Sequence, residues 1–181
     1  THHNFISMTS SYNIIVGTDT ADEFIVGTSS NDSLVALAGN DTVTGSGSTD
    51  ILVLGAGNDL VTSAGTYSGG SVLGGSGNDT FVSGNSSSGL QVDLGSDNDS
   101  FNLTSTGTFS SVTLAGGLNN DTLILASGST LLNSQLYGAA AAGGAADASD
   151  SISVGTVTGS LIQGNAGTDT FNVSGPTNSS T

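Results

Sequence analysis

The chain has 181 residues, 15 acidic side chains, no Lys or Arg, and a formal net charge of -15. Nucleic acid or an anionic membrane surface would meet only like charge, so the sequence predicts neither as a partner. No apolar run approaches the roughly 20 residues that a membrane span needs, so no membrane insertion is expected. The absence of cysteine excludes disulfides and thiolate metal sites.

Residues 1–16 form a first segment that is apolar and strand-like but has no repeat Asp. Its apolar residues include Phe5, Ile6, Ile14, Ile15 and Val16. Such a segment can cap the first coil of a repeat region or pair with another chain. The start lacks the basic region of a signal peptide, so a secreted protein would be represented here by a mature form or an excised fragment.

From residue 17 onward, an Asp followed by a short β-prone run recurs along the chain. The recurring residues are Asp22, Asp32, Asp41, Asp50, Asp59, Asp79, Asp99, Asp121, Asp150 and Asp169. Their spacing begins near nine residues and then roughly doubles. Two such units make a flattened coil with one strand on each long side. The pattern therefore predicts an all-β fold, a parallel β-roll or β-solenoid of stacked two-strand coils, over residues 17–174, followed by a polar tail over 175–181.

One edge of the predicted solenoid carries an acid in every coil, whereas the other edge loses its acids after Asp50. The residue two positions after each Asp of the first edge is apolar, which indicates a column of inward-facing side chains. That column is Val43, Val61, Phe81, Phe101, Leu123, Ile152 and Phe171.

Returning strands are indicated at 90–94 and 111–114. The Gly- and Ala-rich stretch 138–146 indicates a loop or a short helical turn that bulges from one coil.

The segment 74–82 reads Gly-Gly-Ser-Gly-Asn-Asp-Thr-Phe-Val. It matches the calcium nonapeptide Gly-Gly-x-Gly-x-Asp-x-U-x, in which U is apolar, at every fixed position. Near matches lie at 39–43, 55–61 and 164–171. On these residues the sequence resembles the RTX, or haemolysin-type, calcium-binding repeat family over about residues 17–174. The resemblance implies Ca²⁺ as the cofactor, shared between the turns of adjacent coils.

Calcium takes about six to eight hard oxygen ligands, which glycine turns can supply as carbonyls beside an Asp carboxylate. The candidate metal ligands are Asp32, Asp41, Asp50, Asp59, Asp79, Asp99, Asp121 and Asp169. Asp121 follows a turn in which Asn119 replaces a glycine, and Asp150 departs furthest from the motif and is left out of the set. The competing interpretation is that the Asp side chains only cap turns by bonding nearby amides.

An Asn precedes the Asp in five successive turns of the first edge. These residues are Asn40, Asn58, Asn78, Asn98 and Asn120. We interpret this column as stacked amides that hydrogen-bond along the solenoid.

The sequence gives little support to catalysis, and the chain is predicted not to be an enzyme. The only histidines are His2 and His3, which leaves no residues for a His-Glu-x-x-His zinc site or a Ser-His-Asp triad. A carboxylate pair such as Asp97 and Asp99 could catalyse glycoside hydrolysis. An enzyme that acts on polysaccharides is therefore a third interpretation.

Because the repeats occupy nearly the whole chain, the leading hypothesis is an extracellular, calcium-stabilised structural protein that forms a filament, sheath or surface layer. The open ends of a solenoid present unpaired strand edges, so the expected partner is another copy, in a homopolymer joined through the ends. A cell-surface polysaccharide is a further candidate partner. The second hypothesis is a calcium-binding module of a larger secreted adhesin, toxin or enzyme.

Overall fold

The computed structural model describes residues 5–7, 14–25, 31–45, 49–63, 66–139 and 149–181, and these residues form strands and turns only. The strands pair in parallel from one coil to the next, in three sheets that run along the solenoid axis. The prediction of an all-β parallel solenoid is confirmed. In the described part of the chain, no helix is long and apolar enough to cross a membrane.

Each sheet takes one strand from each coil. Among the described residues, the first sheet contains β1 (Phe5–Ser7), β3 (Glu23–Ile25), β5 (Thr42–Gly45), β7 (Leu60–Ser63), β9 (Thr80–Ser83), β12 (Ser100–Leu103), β15 (Thr122–Leu125), β18 (Ser151–Val154) and β21 (Thr170–Val173). The second contains β2 (Ile14–Val16), β4 (Ser33–Ala38), β6 (Ile51–Ala56), β8 (Ser71–Ser76), β11 (Gln91–Ser96), β14 (Thr113–Leu118), β17 (Gln135–Ala139) and β20 (Leu161–Gln163). The third contains β10 (Ser87–Ser88), β13 (Thr108–Ser110), β16 (Thr130–Leu132), β19 (Thr156–Thr158) and β22 (Thr177–Asn178).

The core is the stack of inward-facing side chains that the period-two pattern predicts. From Val43 to Ile152 the predicted column is fully buried. Phe81 and Phe101 stack with ring centroids 5.3 Å apart and planes 7° apart. Phe171, in the last coil, is 47% exposed because no coil covers it. Each side chain of the column is therefore buried mainly by its neighbours along the axis.

The third sheet is a feature that a two-strand coil does not contain. Asp41 and Asp59 are 18 residues apart, whereas Asp59 and Asp79 are 20 apart. The additional residues enter at the second edge, where Tyr67 is fully buried, and in the following coils the same side of the solenoid holds the short strands of the third sheet. The early coils are thus two-sided and the later coils are three-sided.

The first segment of the chain pairs with its own solenoid. Strand β1 lies parallel to β3, and β2 lies parallel to β4. Within one chain these strands add one strand to each of the first two sheets, and the choice between a cap and pairing with another chain stays a prediction. Residues 1–4 and 8–13, which include both histidines, lie outside the described residues. Most of the Ala-rich stretch lies outside them too, because β17 ends at Ala139 and the next described residue is Ser149.

Leu37 has a backbone conformation that suits glycine. It occupies the second-glycine position of its turn, in register with Gly55 and Gly75. Its φ is 83°, and the φ angles of those glycines are 113° and 122°. A side chain in the left-handed region costs about 1–2 kcal/mol, so this turn is strained relative to its neighbours.

Replacing Leu37 by glycine is expected to stabilise the solenoid by about 1 kcal/mol, because relief of the strain exceeds the added chain entropy of glycine. The matched control is Leu73→Gly, since Leu73 is another exposed leucine of the same sheet and has no positive φ. The control should lose about 0.5–1 kcal/mol. Urea denaturation in calcium measures both variants, and equal losses would show that Leu37 is not strained.

Candidate metal centre

An aspartate lies directly before each strand of the first sheet from β3 to β21. Because these strands are in register, the aspartates form one column, which we call the aspartate ladder. Its members are Asp22, Asp41, Asp59, Asp79, Asp99, Asp121, Asp150 and Asp169. All of them except Asp169 are buried. The fold thus concentrates acidic groups along one edge of the solenoid.

Each later carboxylate of the ladder accepts a hydrogen bond from the coil before it. The backbone N–H of Asp59 donates to Oδ1 of Asp79 at 2.9 Å, and that of Asp79 donates to Oδ1 of Asp99 at 2.7 Å. The same bond links every successive pair of the ladder, at 2.7–3.1 Å. One carboxylate oxygen therefore caps an amide, as the competing interpretation expects, but it does so across coils.

The second oxygen of four of these carboxylates is buried without a hydrogen-bond partner. It is Oδ2 of Asp41, Asp59, Asp79 and Asp99. A buried carboxylate without compensation is strongly unfavourable, and the chain has no Lys or Arg that could neutralise it. Each of these groups therefore requires a proton or a bound cation.

Burial raises the pKa of the same carboxyl groups. Desolvation raises the pKa of Asp41 to about 6 and the pKa of Asp79 and of Asp99 to about 7. It also raises the pKa of Asp59. The hydrogen bond from the previous coil offsets part of the rise, and repulsion between neighbouring carboxylates adds to it at Asp41, Asp79 and Asp99. Near neutral pH, protons and metal ions therefore compete for these oxygens.

The Asn residues form a second ladder beside the aspartates. The backbone N–H of Asn58 donates to Oδ1 of Asn40 at 2.9 Å, and that of Asn78 donates to Oδ1 of Asn58 at 2.8 Å. The pattern continues to Ser149, whose N–H donates to Oδ1 of Asn120 at 2.7 Å. The interpretation of this column as hydrogen-bonded along the axis is confirmed, with backbone amides as the donors.

Glycine turns bring the backbone carbonyls of adjacent coils close to the carboxylates. A Cβ on Gly75 would lie 2.0 Å from the carbonyl oxygen of Gly55, and a Cβ on Gly74 would lie 2.5 Å from Oδ2 of Asp79. A side chain at either position would fill the space between turns. The glycines therefore keep open a cradle of oxygen atoms that includes the unpartnered carboxylate oxygen.

Two later turns adopt the left-handed conformation without glycine. Asn119 has a φ of 75° and Asp97 has a φ of 85°, and Asn and Asp tolerate this region better than other side chains. The prediction that Asn119 replaces a glycine is confirmed. Asp97 also joins two coils, because the N–H of Gly77 donates to its Oδ2 at 3.0 Å.

The second edge begins with carboxylates and continues with serines. The N–H of Asp32 donates to Oδ1 of Asp50 at 3.0 Å. Further along, the N–H of Ser134 donates to Oγ of Ser160 at 3.0 Å, and the N–H of Ser160 donates to Oγ of Ser180 at 3.3 Å. Sequence reasoning missed these serines because serine is common throughout the chain. Their separations of 26 and 20 residues, which match the coil length, are the signal that could have found them.

The predicted ligands are divided between the two edges. Six of them belong to the aspartate ladder, namely Asp41, Asp59, Asp79, Asp99, Asp121 and Asp169, and the two on the second edge are Asp32 and Asp50. Asp150 also belongs to the ladder, although its turn departs from the motif. It lies between Asp121 and Asp169 and is bonded to both. Metal binding by each individual residue stays a prediction.

The ladder fits calcium in the chemistry of its donors. In the described ranges, no three His, Cys, Asp or Glu side chains converge on one point. An ion here would therefore take carboxylates from adjacent coils together with backbone carbonyls of the glycine turns, which are the hard oxygen ligands that calcium prefers. When bound, the ion supplies positive charge that neutralises the carboxylates and links the coils.

Comparison with known families points to the same ion. The RTX calcium-binding nonapeptide repeat matches the chain in four copies, over residues 26–61 and 71–87. No curated protein and no solved structure was found to match the chain. The matched residues include Asp41, Asp59 and Asp79, and the aspartate ladder continues beyond them to Asp169 with the same hydrogen bonds.

Replacing Asp79 by asparagine distinguishes a role of this side chain as a metal ligand from a role as a turn cap. Asparagine keeps an oxygen that can accept the N–H of Asp59 and removes a buried charge. In excess chelator at pH 8 the variant should be more stable than the parent by about 1–3 kcal/mol, whereas in calcium it should be less stable because a ligand is lost. The control, Asp19→Asn, removes an exposed acid outside the ladder. Urea denaturation followed by circular dichroism measures the free energy of unfolding of the parent, the variant and the control. A change in stability of the same sign in chelator and in calcium would mean that Asp79 is a cap only.

The raised pKa values predict that the calcium-free protein loses stability as the pH rises. The folded-state pKa values of Asp41, Asp79 and Asp99, about 6, 7 and 7, lie above the ordinary value of 3.8. The folded chain therefore binds more protons than the unfolded chain, so stability is full below about pH 4 and falls through pH 6–7. Calcium should remove this loss by replacing the protons. Melting curves at pH 5 and pH 8 test it, and a higher melting temperature in chelator at pH 8 would refute it.

Proposed function

Because the chain carries RTX calcium-binding nonapeptide repeats, we propose that it is an extracellular structural protein that calcium orders and that assembles through its ends into a filament, sheath or surface layer. The aspartate ladder extends from Asp22 to Asp169. The hydrogen-bonded carboxylates and the stacking of coils thus occupy nearly the full length of the chain, which supports a structural role.

The proposed role is not catalytic. The carboxylate pair that could perform glycoside hydrolysis is engaged in contacts between coils. Asp99 is buried and its Oδ1 accepts the N–H of Asp79, while Oδ2 of Asp97 accepts the N–H of Gly77. Carboxylates held in this way support stacking better than proton transfer to a substrate.

The observation that carries the assembly proposal is the open C-terminal end of the solenoid. Phe171 is 47% exposed and Val173 is 39% exposed, whereas Ile152 and Val154, at the same positions one coil earlier, are 1% and 2% exposed. A cavity of about 260 Å³ opens at this end, lined by Val157, Ile162, Phe171, Val173 and residues of the last turn. A further coil would bury these side chains in the way that each interior coil buries the one before it.

A second copy can supply that coil through its first strands. In a head-to-tail contact, β21 would be extended by β1 and β20 by β2, so that the first and second sheets continue across the junction. The third sheet would stop there, since the early coils are two-sided. Each copy carries a net charge of -15, and calcium would reduce the repulsion between copies.

The open end also favours the second candidate function, a calcium-binding module of a larger secreted protein. In that case the coil that covers Phe171 and Val173 belongs to the same polypeptide. The two candidates differ in the behaviour of the isolated chain, which associates with itself only in the first.

The paired substitutions Phe171→Gln and Val173→Gln are expected to block end-to-end assembly, because they remove the apolar surface that the next copy would cover. The control is Leu60→Gln, an exposed apolar position on the outward face of the same sheet. Electron microscopy and sedimentation should show long assemblies of the parent and the control in millimolar calcium, and no long assemblies of the end variant. The parent and the control should lose their assemblies in chelator.

A parent protein that remains strictly monomeric at high concentration in calcium would refute end-to-end assembly and leave the module as the better function.

A further inference from the structure

The outward face of the second sheet carries an apolar surface over β2, β4, β6 and β8. One column of outward side chains is apolar in all four strands, and the column beside it alternates with serine. We call this surface the outer apolar patch, and its members are Ile14, Val16, Val35, Ile51, Val53 and Leu73. Ile14 is 69% exposed and Val16 is 58% exposed, whereas Ile15 between them is 4% exposed. These strands are therefore apolar on both faces.

The outer apolar patch has a sharp boundary. In β11, the next strand, the same two columns hold Gln91 and Asp93. The outward face of the first sheet differs in the same coils, since β5 presents Thr42 and Thr44, and β7 presents Leu60 and Thr62. A strand face that meets only water does not require Val and Ile, and contiguous exposed apolar surface marks a binding site.

We propose that the outer apolar patch binds the same patch of a second copy, face to face, and so joins neighbouring solenoids side by side. This inference rests on the proposed function, because it supplies the lateral contact that a sheath or layer needs in addition to the end contact. The patch belongs to an in-register parallel sheet, and two such faces pack about 10 Å apart with their apolar side chains interleaved. A two-fold axis lets both copies use the same residues.

The distribution of charge favours a second copy as the occupant. A contact between two chains of net charge -15 without Lys or Arg must keep carboxylates apart. The outer apolar patch contains no acid, and the ladder acids of the same coils, Asp41, Asp59 and Asp79, are buried at the edge. Two patches can therefore meet without opposing exposed carboxylates, which the region beginning at Asp93 would not allow.

The size of the patch limits the strength of one contact. Four strands spaced about 4.8 Å apart extend about 14 Å along the axis. The two columns of side chains lie about 7 Å apart, so the patch covers on the order of 200 Å². This area is well below the roughly 800 Å² per partner of a standard interface. A single pair of patches should therefore bind weakly, and the contact gains strength when it is repeated along assembled solenoids.

The test changes apolarity without changing charge. Ile51→Gln with Leu73→Gln alters the patch, and Leu60→Gln with Ile124→Gln makes the matched change on the first sheet, where both residues are similarly exposed. All four side chains point outward, so both double variants should keep their calcium-dependent circular dichroism. Each pair is placed in the end variant Phe171→Gln/Val173→Gln, which removes the end contact from the measurement.

Sedimentation equilibrium in calcium should show a weak dimer of the end variant. Its dissociation constant should rise about tenfold or more in the patch variant and stay unchanged in the control. Absence of a dimer, or equal weakening in both pairs, would overturn the proposal. Binding to phosphatidylcholine vesicles that depends on Ile51 and Leu73 would assign the patch to lipid and would also overturn it. Since the end contact is absent, a dimer here supports the lateral contact even if the parent forms no filaments.

Discussion

Interior carboxylates of the aspartate ladder, such as those of Asp59 and Asp79, use one oxygen to accept an amide hydrogen from the previous coil and bury the other without a partner. The two oxygens belong to one rigid group, so the bond that fixes the coil register also withdraws the second oxygen from water. Stacking therefore creates a requirement for positive charge. A proton meets it at acidic pH, and a bound calcium ion would meet it near neutral pH and would also link adjacent turns. With calcium as the ion, folding of this edge and binding of the ion would be one process.

The two side-chain ladders act in opposite directions along the axis. The N–H of Asn58 bonds to Asn40 in the coil before it, while the N–H of the next residue, Asp59, bonds to Asp79 in the coil after it. An interior turn is thus held from both sides, in addition to the strand pairing of its sheets. A terminal turn has only one neighbour, and the exposure of Phe171 in the core column shows the same deficit. This is why the ends of the solenoid, and not its interior turns, provide the end-to-end contact in the proposed function.

The position of the ladder could be predicted because two constraints coincide in the sequence, an acid at the edge and an apolar residue inside two positions later, as in Asp79 and Phe81. The unpartnered carboxylate oxygen could not be predicted, because its lack of a partner depends on burial and on the direction of the hydrogen bond between coils. The third sheet also could not be predicted from the sequence. The strand at Ser87–Ser88 has no period-two pattern, and its position is set by the length of the coil. The role of Ser134 could not be recognised, because serine is common throughout the chain. At Leu37 the sequence shows only that the glycine of the motif is absent. The left-handed backbone of Leu37 is imposed by the turn geometry that the neighbouring coils share.

The stacking of coils along one axis has a mechanical consequence. A coil of about 20 residues, such as the one between Asp59 and Asp79, contributes only about 5 Å to the length of the folded solenoid. The same residues extend to about 65–70 Å once they are pulled free. Under tension applied at its two termini the chain would peel from its ends one coil at a time, since each coil contacts only its neighbours. The protein would then behave as an extensible tether whose resistance to each step is set by the free calcium concentration around it.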